Sequence, residues 1–259
     1  MILLGPGGTA GLGYDKGLGK IHELGLSAME VEFTYGVRMS NEEALRVGKL
    51  AKGYGIALSV HGPYYINLAS NKKNIITASK KRILDSCERA HHLGARYVVF
   101  HAGFYQGAKK EDVYRQMAQG LQELSDIIKS KGWKTTLAPE LTGKATQFGD
   151  VDELMQLKQD TGCHMTIDFS HWKARSLGKM GYSEMLDKLK QLKHVHSHFS
   201  GIEFTEKGER RHLLTDKNEM KSLLQEITKR KTDITIINES PDPIGDSQKM
   251  LTVLGSLGR

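Results

Sequence analysis

Residues able to bind cations or move protons recur at one kind of position in this chain. His61 closes the run Ser59-Val60-His61, His101 closes Val99-Phe100-His101, and Glu140 closes Ala138-Pro139-Glu140. Asp168 closes Thr166-Ile167-Asp168, and His171 follows three residues later. His198 closes His196-Ser197-His198, and Glu239 follows Asn238. A cluster of bare carboxylates repels itself and takes up protons. Divalent cations remove that problem, and neutral imidazole and ionised carboxylate are ligands for zinc, manganese and iron. Seven such groups exceed what one tetrahedral ion needs and point to two or three metals sharing bridging carboxylates. Paired metals, roughly 3.5–4 Å apart, suit phosphoryl-ester cleavage by activating water and stabilising the leaving oxygen. Taken singly, each residue has an ordinary explanation. A lone strand-end His is usually a hydrogen-bonded core residue, and an Asp or Glu after a strand often caps the next helix. The joint pattern carries the argument.

The elements that must position these residues alternate from end to end. Short β-rich runs fall at 2–4, 28–32, 57–61, 96–101, 135–140, 164–168, 194–198 and 233–239. Amphipathic helical runs lie between and after them, at 16–24, 41–54, 78–93, 111–130, 151–160, 182–192, 216–229 and 247–257. Asn41 reads as an N-cap with Glu42 and Glu43 in the first turn. Gly94 and Gly132 sit where left-handed helix ends belong. Eight strands alternating with eight helices imply an all-parallel sheet, either open and doubly wound or closed. The count of eight and the regular spacing favour a (β/α)₈ TIM barrel forming one domain over 1–259. In a barrel the C-terminal strand ends converge on one rim, where active sites sit. Six successive strands would then deliver a His, Asp or Glu to one place. His22, His91 and His92 fall on helices and read as surface groups. His164 begins a strand, at the opposite rim. His196 shares side-chain parity with His198 and reads as a core or supporting residue.

Length and composition agree. The 259 residues match the roughly 250 typical of such a barrel. The 39% hydrophobic and 26% charged residues describe a globular chain. The net charge of +7 attracts polyanions, of which nucleic acid is the commonest, although a solvated lysine-rich surface explains the same number. Cys87 and Cys163 fit no metal-pair or redox spacing, which suits a reducing cytoplasm. The apolar start at Met1 is too short for a signal peptide, and no run approaches the ~20 apolar residues of a membrane span. The expectation is a cytoplasmic monomer without membrane contact.

Several segments together resemble the endonuclease IV family, metal-dependent apurinic/apyrimidinic endonucleases of the xylose-isomerase-like barrels. They are His61-Gly-Pro-Tyr-Tyr-Ile-Asn-Leu-Ala-Ser70, Val99-Phe-His-Ala-Gly103, Pro139-Glu140, Ile167-Asp-Phe-Ser-His171, His198-Phe-Ser and Asn238-Glu239. The Asp-x-x-His pair and the His-x-x-Tyr with Ile-Asn-Leu are the specific ones. The resemblance implies a two- or three-zinc centre, with manganese possible, that cuts double-stranded DNA 5′ to abasic sites in base-excision repair. It implies His61, His101, Glu140, Asp168, His171, His198 and Glu239 as ligands, with Glu140 bridging and catalytic. The family draws an Asp-x-His pair from the loop after the seventh strand. Here that loop reads Gly208-Glu209-Arg210-Arg211-His212, so Glu replaces Asp and the spacing is one residue longer. Glu209 and His212 are the corresponding candidates for a third metal. Tyr64 matches a loop tyrosine that wedges into DNA, and Arg38 an arginine that enters the minor groove. Lys72, Lys73, Arg210 and Arg211 are candidate phosphate contacts.

Two other readings compete. A sugar isomerase or epimerase on the same scaffold needs only Glu140, Asp168, His198 and Glu239 around one divalent metal, and leaves His61, His101 and His171 unexplained. A nucleic-acid binder that kept the barrel but lost full metal occupancy is supported only by the altered Glu209–His212 loop.

Overall fold

The computed structural model of the protein describes residues 1–258. Eight parallel strands form the barrel: β1 (Ile2–Pro6), β2 (Ala28–Glu32), β3 (Ala57–His61), β4 (Tyr97–Phe100), β5 (Thr136–Pro139), β6 (Thr166–Asp168), β7 (Val195–Phe199) and, after a hairpin of β8 (Gly201–Thr205) and β9 (Gly208–Leu213), β10 (Ile234–Asn238). Ladders join β2-β3-β4-β5 and β1-β10-β7-β6 into two half-barrels. Parallel bridges Gly7–Glu30 and Glu140–Thr166 close both seams. The closed barrel, rather than the open sheet, is therefore realised. The first seam depends on Gly5, because a Cβ there would lie 1.6 Å from the Ala28 carbonyl oxygen.

Side-chain parity divides each strand into two faces. Met29, Val31, Leu58, Val60, Val98, Phe100, Ile167, Val195, Ile234 and Ile236 are buried and share the parity opposite to that of the polar residues. Each such burial contributes roughly 1.5–3 kcal/mol. The other parity is unusually polar for a barrel. Glu30 of β2 meets His196 and His198 of β7, two strands that share no ladder. Those contacts can cross only the lumen, so this parity fills the barrel interior.

The surrounding helices are α1 (Tyr14–Glu23), α2 (Asn41–Gly53), α3 (Lys73–Leu93), α4 (Lys110–Ser130), α5 (Val151–Thr161), α6 (Phe169–Arg175), α7 (Tyr182–Lys188), α8 (Lys217–Arg230) and α9 (Pro243–Leu257). The cap of α2 is Ser40, not Asn41: the Ser40 hydroxyl accepts from the Glu43 amide at 3.1 Å. The Asn41 side chain instead bonds Glu88 and Arg89 of α3. Gly94 ends α3 in the left-handed region as expected. Gly132 lies one residue beyond the Lys131 cap of α4. The expected helix at 247–257 begins earlier because Asp242 caps it and Pro243 opens it. Helix α6, directly after β6, and the β8–β9 hairpin lie in stretches expected to be loop. Among the described residues no helix is long and apolar enough to cross a membrane.

Candidate metal centre

The C-terminal rim gathers every strand-end residue singled out above. Glu140 is almost fully buried at the end of β5, and its two oxygens face different partners. Its Oε2 lies 3.3 Å from His61 Nε2 and 2.9 Å from His101 Nε2. Its Oε1 lies 3.2 Å from His171 Nδ1 and 3.3 Å from His198 Nδ1. His198 Nδ1 is also 3.3 Å from Glu239 Oε1. Asp168 caps α6, with Oδ1 accepting from the His171 amide at 2.7 Å, while buried Oδ2 has no aligned hydrogen-bond donor, its nearest imidazole nitrogen being His171 Nδ1 at 3.2 Å. The helix-cap role and an open ligand atom thus coexist on one side chain.

Backbone carbonyls settle which imidazole nitrogens are free. His61 Nδ1 lies 2.7 Å from the Gly62 carbonyl and His171 Nδ1 3.0 Å from that of Leu141. Each donates there, so each Nε2 turns to the centre and is the nitrogen that offers a lone pair when the ring is neutral. His212 Nδ1 pairs with the Ser200 hydroxyl at 2.7 Å, which leaves its Nε2 3.3 Å from His171 Nε2.

The altered loop is a β-bulge. In the β8–β9 hairpin Glu203 pairs with Arg211 but Phe204 pairs with Glu209, so Arg210 is an extra residue on β9. In a regular strand, positions three apart face opposite ways. The extra residue restores common facing to Glu209 and His212. Glu209 Oε2 reaches within 3.5 Å of His171 Nε2. Arg210 and Arg211 turn the other way, and both bind Glu203. They are exposed, but this pairing engages their guanidinium groups.

The electrostatics follow from burying so many charges together. Burial alone would lower His61, but Glu140, Glu32 and Glu30 override it and raise the imidazole to about 10. His171 and His198 are also raised well above the usual range, their burial outweighed by the surrounding carboxylates. Burial would raise Glu239, yet His198 holds it at about 2. Asp168 is pushed up by burial and by Glu140 and Glu239, against the pull of His171. Without metal, protons on the imidazoles must balance these carboxylates. The donor chemistry fits divalent cations instead, since Asp168 Oδ2 is an orphaned buried acceptor and several imidazole nitrogens converge on carboxylates. The ligand atoms fall into groups lying within 4.8 Å of one another, including His61-His101-Glu140, Glu140-Asp168-His198-Glu239 and Asp168-His171-His212.

Tyr64 stands at the mouth, half exposed, its ring 5.8 Å from that of His61 in an edge contact. Arg38 is exposed and lines a neighbouring cleft of about 390 Å³ with Glu32, Thr34 and Tyr35. Lys72 is the N-cap of α3 and Lys73 its first residue, and both are exposed.

Three residues of the site escaped sequence reasoning wholly or in part. Glu30 and Glu32 lie two apart on β2, on its lumen parity. His196, expected as a core or supporting residue, bonds Glu30 at 3.1 Å. The signal was present, as two acids of equal parity within a strand that is otherwise apolar. Burial, then repulsion from Glu30 and Glu239, raises the Glu32 carboxyl to about 8 against the pull of His61 and His198.

Comparison with known proteins agrees with this architecture. An uncharacterised protein of Methanocaldococcus jannaschii is 35% identical over 93% of this chain and 92% of its own length. A probable endonuclease 4 of Carboxydothermus hydrogenoformans is 33% identical, over 40% of this chain and 36% of its own length. Among solved structures, endonuclease IV of Thermus thermophilus superposes with a TM-score of 0.71 at 20% identity, covering 98% of this chain and 97% of its own. A D-psicose 3-epimerase superposes with a TM-score of 0.67 at 16% identity, covering 96% and 93%. Identities this low speak for the fold alone. The profile of the xylose isomerase-like TIM barrel family matches residues 18–256, and the chain belongs to that family.

Proposed function

We propose that this protein is a metal-dependent endonuclease that hydrolyses the phosphodiester 5′ to abasic sites in double-stranded DNA, a step of base-excision repair. Fold likeness does not choose between this and an epimerase, because one barrel hosts both chemistries. The observation that supports the nuclease reading is the convergence of His171, His212 and Glu209 beside the Glu140-centred groups. A one-metal epimerase uses Glu140, Asp168, His198 and Glu239 and has no need of that trio or of His61 and His101.

In this reading His61, His101 and Glu140 hold one ion, Glu140, Asp168, His198 and Glu239 a second, and His171, Glu209 and His212 a third. Zinc suits this imidazole-rich set, and manganese accepts the same ligands. Bound there, the ions supply Lewis acidity, activating water and stabilising the leaving oxygen. Glu140 is the catalytic residue, because its two oxygens serve separate groups and hold them in fixed relation. The carbonyls of Gly62 and Leu141 fix the Nδ1–H tautomers of His61 and His171, and the Ser200 hydroxyl holds the His212 ring in place. Tyr64, beside His61 at the mouth, would fill the gap of a missing base, and Arg38 would contact the groove. Basic rim residues add salt-dependent attraction to the backbone. The protein acts as a cytoplasmic monomer.

The test is metal analysis of purified protein with incision of an abasic duplex, with and without chelator. Two or three zinc equivalents and chelator-sensitive incision support the proposal. One equivalent, no incision and turnover of a ketose would replace it with the epimerase reading. Firm DNA binding without cleavage, at two metals or fewer, would make the protein a binder.

A further inference from the structure

Glu30 is fully buried and lies one inward position below the end of β2. A carboxylate in that place is strongly disfavoured unless it is paired. Its Oε2 accepts from the Ser59 hydroxyl at 2.5 Å and from His196 Nε2 at 3.1 Å. Its Oε1 lies 2.8 Å from His198 Nε2, off the axis of an aligned hydrogen bond. The two contacts on Oε2 hold the carboxylate with Oε1 facing His198.

That partner has a choice to make. His198 has two ring nitrogens, and one of them must supply the lone pair facing Glu140 and Glu239. Nδ1 faces both carboxylates at 3.3 Å. Nε2 faces Glu30. A proton on Nε2 is favoured by Glu30 and leaves the lone pair on Nδ1. A neutral group in place of Glu30 would remove that preference.

We propose that Glu30 is a positioning residue for the cation-binding set, selecting the His198 tautomer that presents Nδ1 to the ion shared with Glu140, Asp168 and Glu239. The proposal rests on the metal-dependent reading above. Ser59 and His196 anchor Glu30, and Glu30 orients His198. Outer partners of this kind are typically worth 10–100-fold in metal affinity. The alternative is that Glu30 merely satisfies two buried histidines; its loss would then lower stability without changing metal binding selectively.

The experiment is cobalt(II) titration of the full chain against a competing chelator, followed by visible absorption. Glu30→Gln is expected to weaken one class of site by about 10–100-fold, with an altered cobalt spectrum, while the class containing His61 and His101 keeps its affinity. Unchanged affinity and spectrum in Glu30→Gln would overturn the role of Glu30 and leave the metal reading intact. A parent protein that binds no cobalt would overturn the metal reading itself. Should Glu30→Gln not fold, long-range ¹H–¹⁵N spectra of the zinc-loaded parent decide. Metal on His198 Nδ1 with a proton on Nε2 supports the proposal, and the reverse overturns it.

Discussion

Replacing Glu32 by Gln should flatten the dependence of stability on pH in the metal-free protein. The Glu32 carboxyl is enclosed, with Oε1 unpaired, and is raised from the ordinary 4.5 to about 8 by burial first and then by Glu30 and Glu239. In the unfolded chain it ionises at the ordinary value; in the folded protein it holds its proton until about 8. Folding therefore takes up a proton across that interval, and stability falls as pH rises, by at most about 1.4 kcal/mol per pH unit. The full interval sets a ceiling of about 5 kcal/mol. The residue keeps some solvent contact, and its acidic neighbours share the proton, so the expected effect is on the order of 2 kcal/mol. Glutamine has no proton to lose, and the other titrating groups are common to both proteins. Urea unfolding of chelated parent and variant at pH 5 and pH 8 reads the difference as a shift in midpoint at constant slope. The parent should lose on the order of 2 kcal/mol more than Glu32→Gln between the two conditions, and the variant should be the more stable at pH 8. Equal losses would mean that the carboxyl is solvated or paired, and would refute the reasoning.

Glu140→Gln should abolish incision and lower metal content while the circular dichroism spectrum stays that of the parent; retained incision would remove Glu140 from the centre. Glu209→Ala or His212→Ala should each cost one metal equivalent, whereas deletion of Arg210 should retain it, since removing the bulge residue leaves Glu209 and His212 on one face; metal analysis reads both. Tyr64→Ala should reduce the preference for abasic over intact duplex by about tenfold, the ~1–3 kcal/mol of one stacking contact, with metal content unchanged. Zinc binding at pH 7 should release protons, because His61, His171 and His198 are raised above neutrality without metal. Calorimetry in buffers of different ionisation enthalpy measures the release, and buffer-independent heats would contradict it.

The barrel was legible because each strand is bounded by turns and each helix by its periodicity, and all eight barrel strands lie within two residues of their expected limits. The strand-end ligand atoms were legible for the same reason: parallel strands of one barrel end on one rim, so position in the chain predicts position in space. Contacts across the lumen were not. Glu30 meets His196 and His198 over more than a hundred and sixty intervening residues, and no local pattern reports which interior residues of distant strands share a layer. Helix α6 was missed because the seven residues Phe169–Arg175 are too few to show a period. The β8–β9 hairpin was missed because five of the six residues of Gly208–Leu213 are not buried, so no apolar alternation marks it.

In the proposed third cation group, the Glu209–His212 spacing is a departure in sequence that the sheet geometry absorbs. Counted along the chain, three residues in place of two should turn one of the pair away from the centre. Counted along the sheet, Arg210 stands outside the pairing, and the two side chains still share a face. The longer Glu then spans toward His171 from a backbone held against Gly143, whose Cβ, if present, would lie 2.6 Å from that of Glu209. Glycine at 143, the bulge at Arg210 and the added methylene of Glu209 each alter the reach or direction of one carboxylate, and together they bring it to His171. An epimerase with a single ion would gain nothing from such mutual adjustment, because neither Glu209 nor His212 would touch its metal. The adjustment is intelligible when a cation is held among His171, Glu209 and His212, and that is the physical ground for preferring the nuclease.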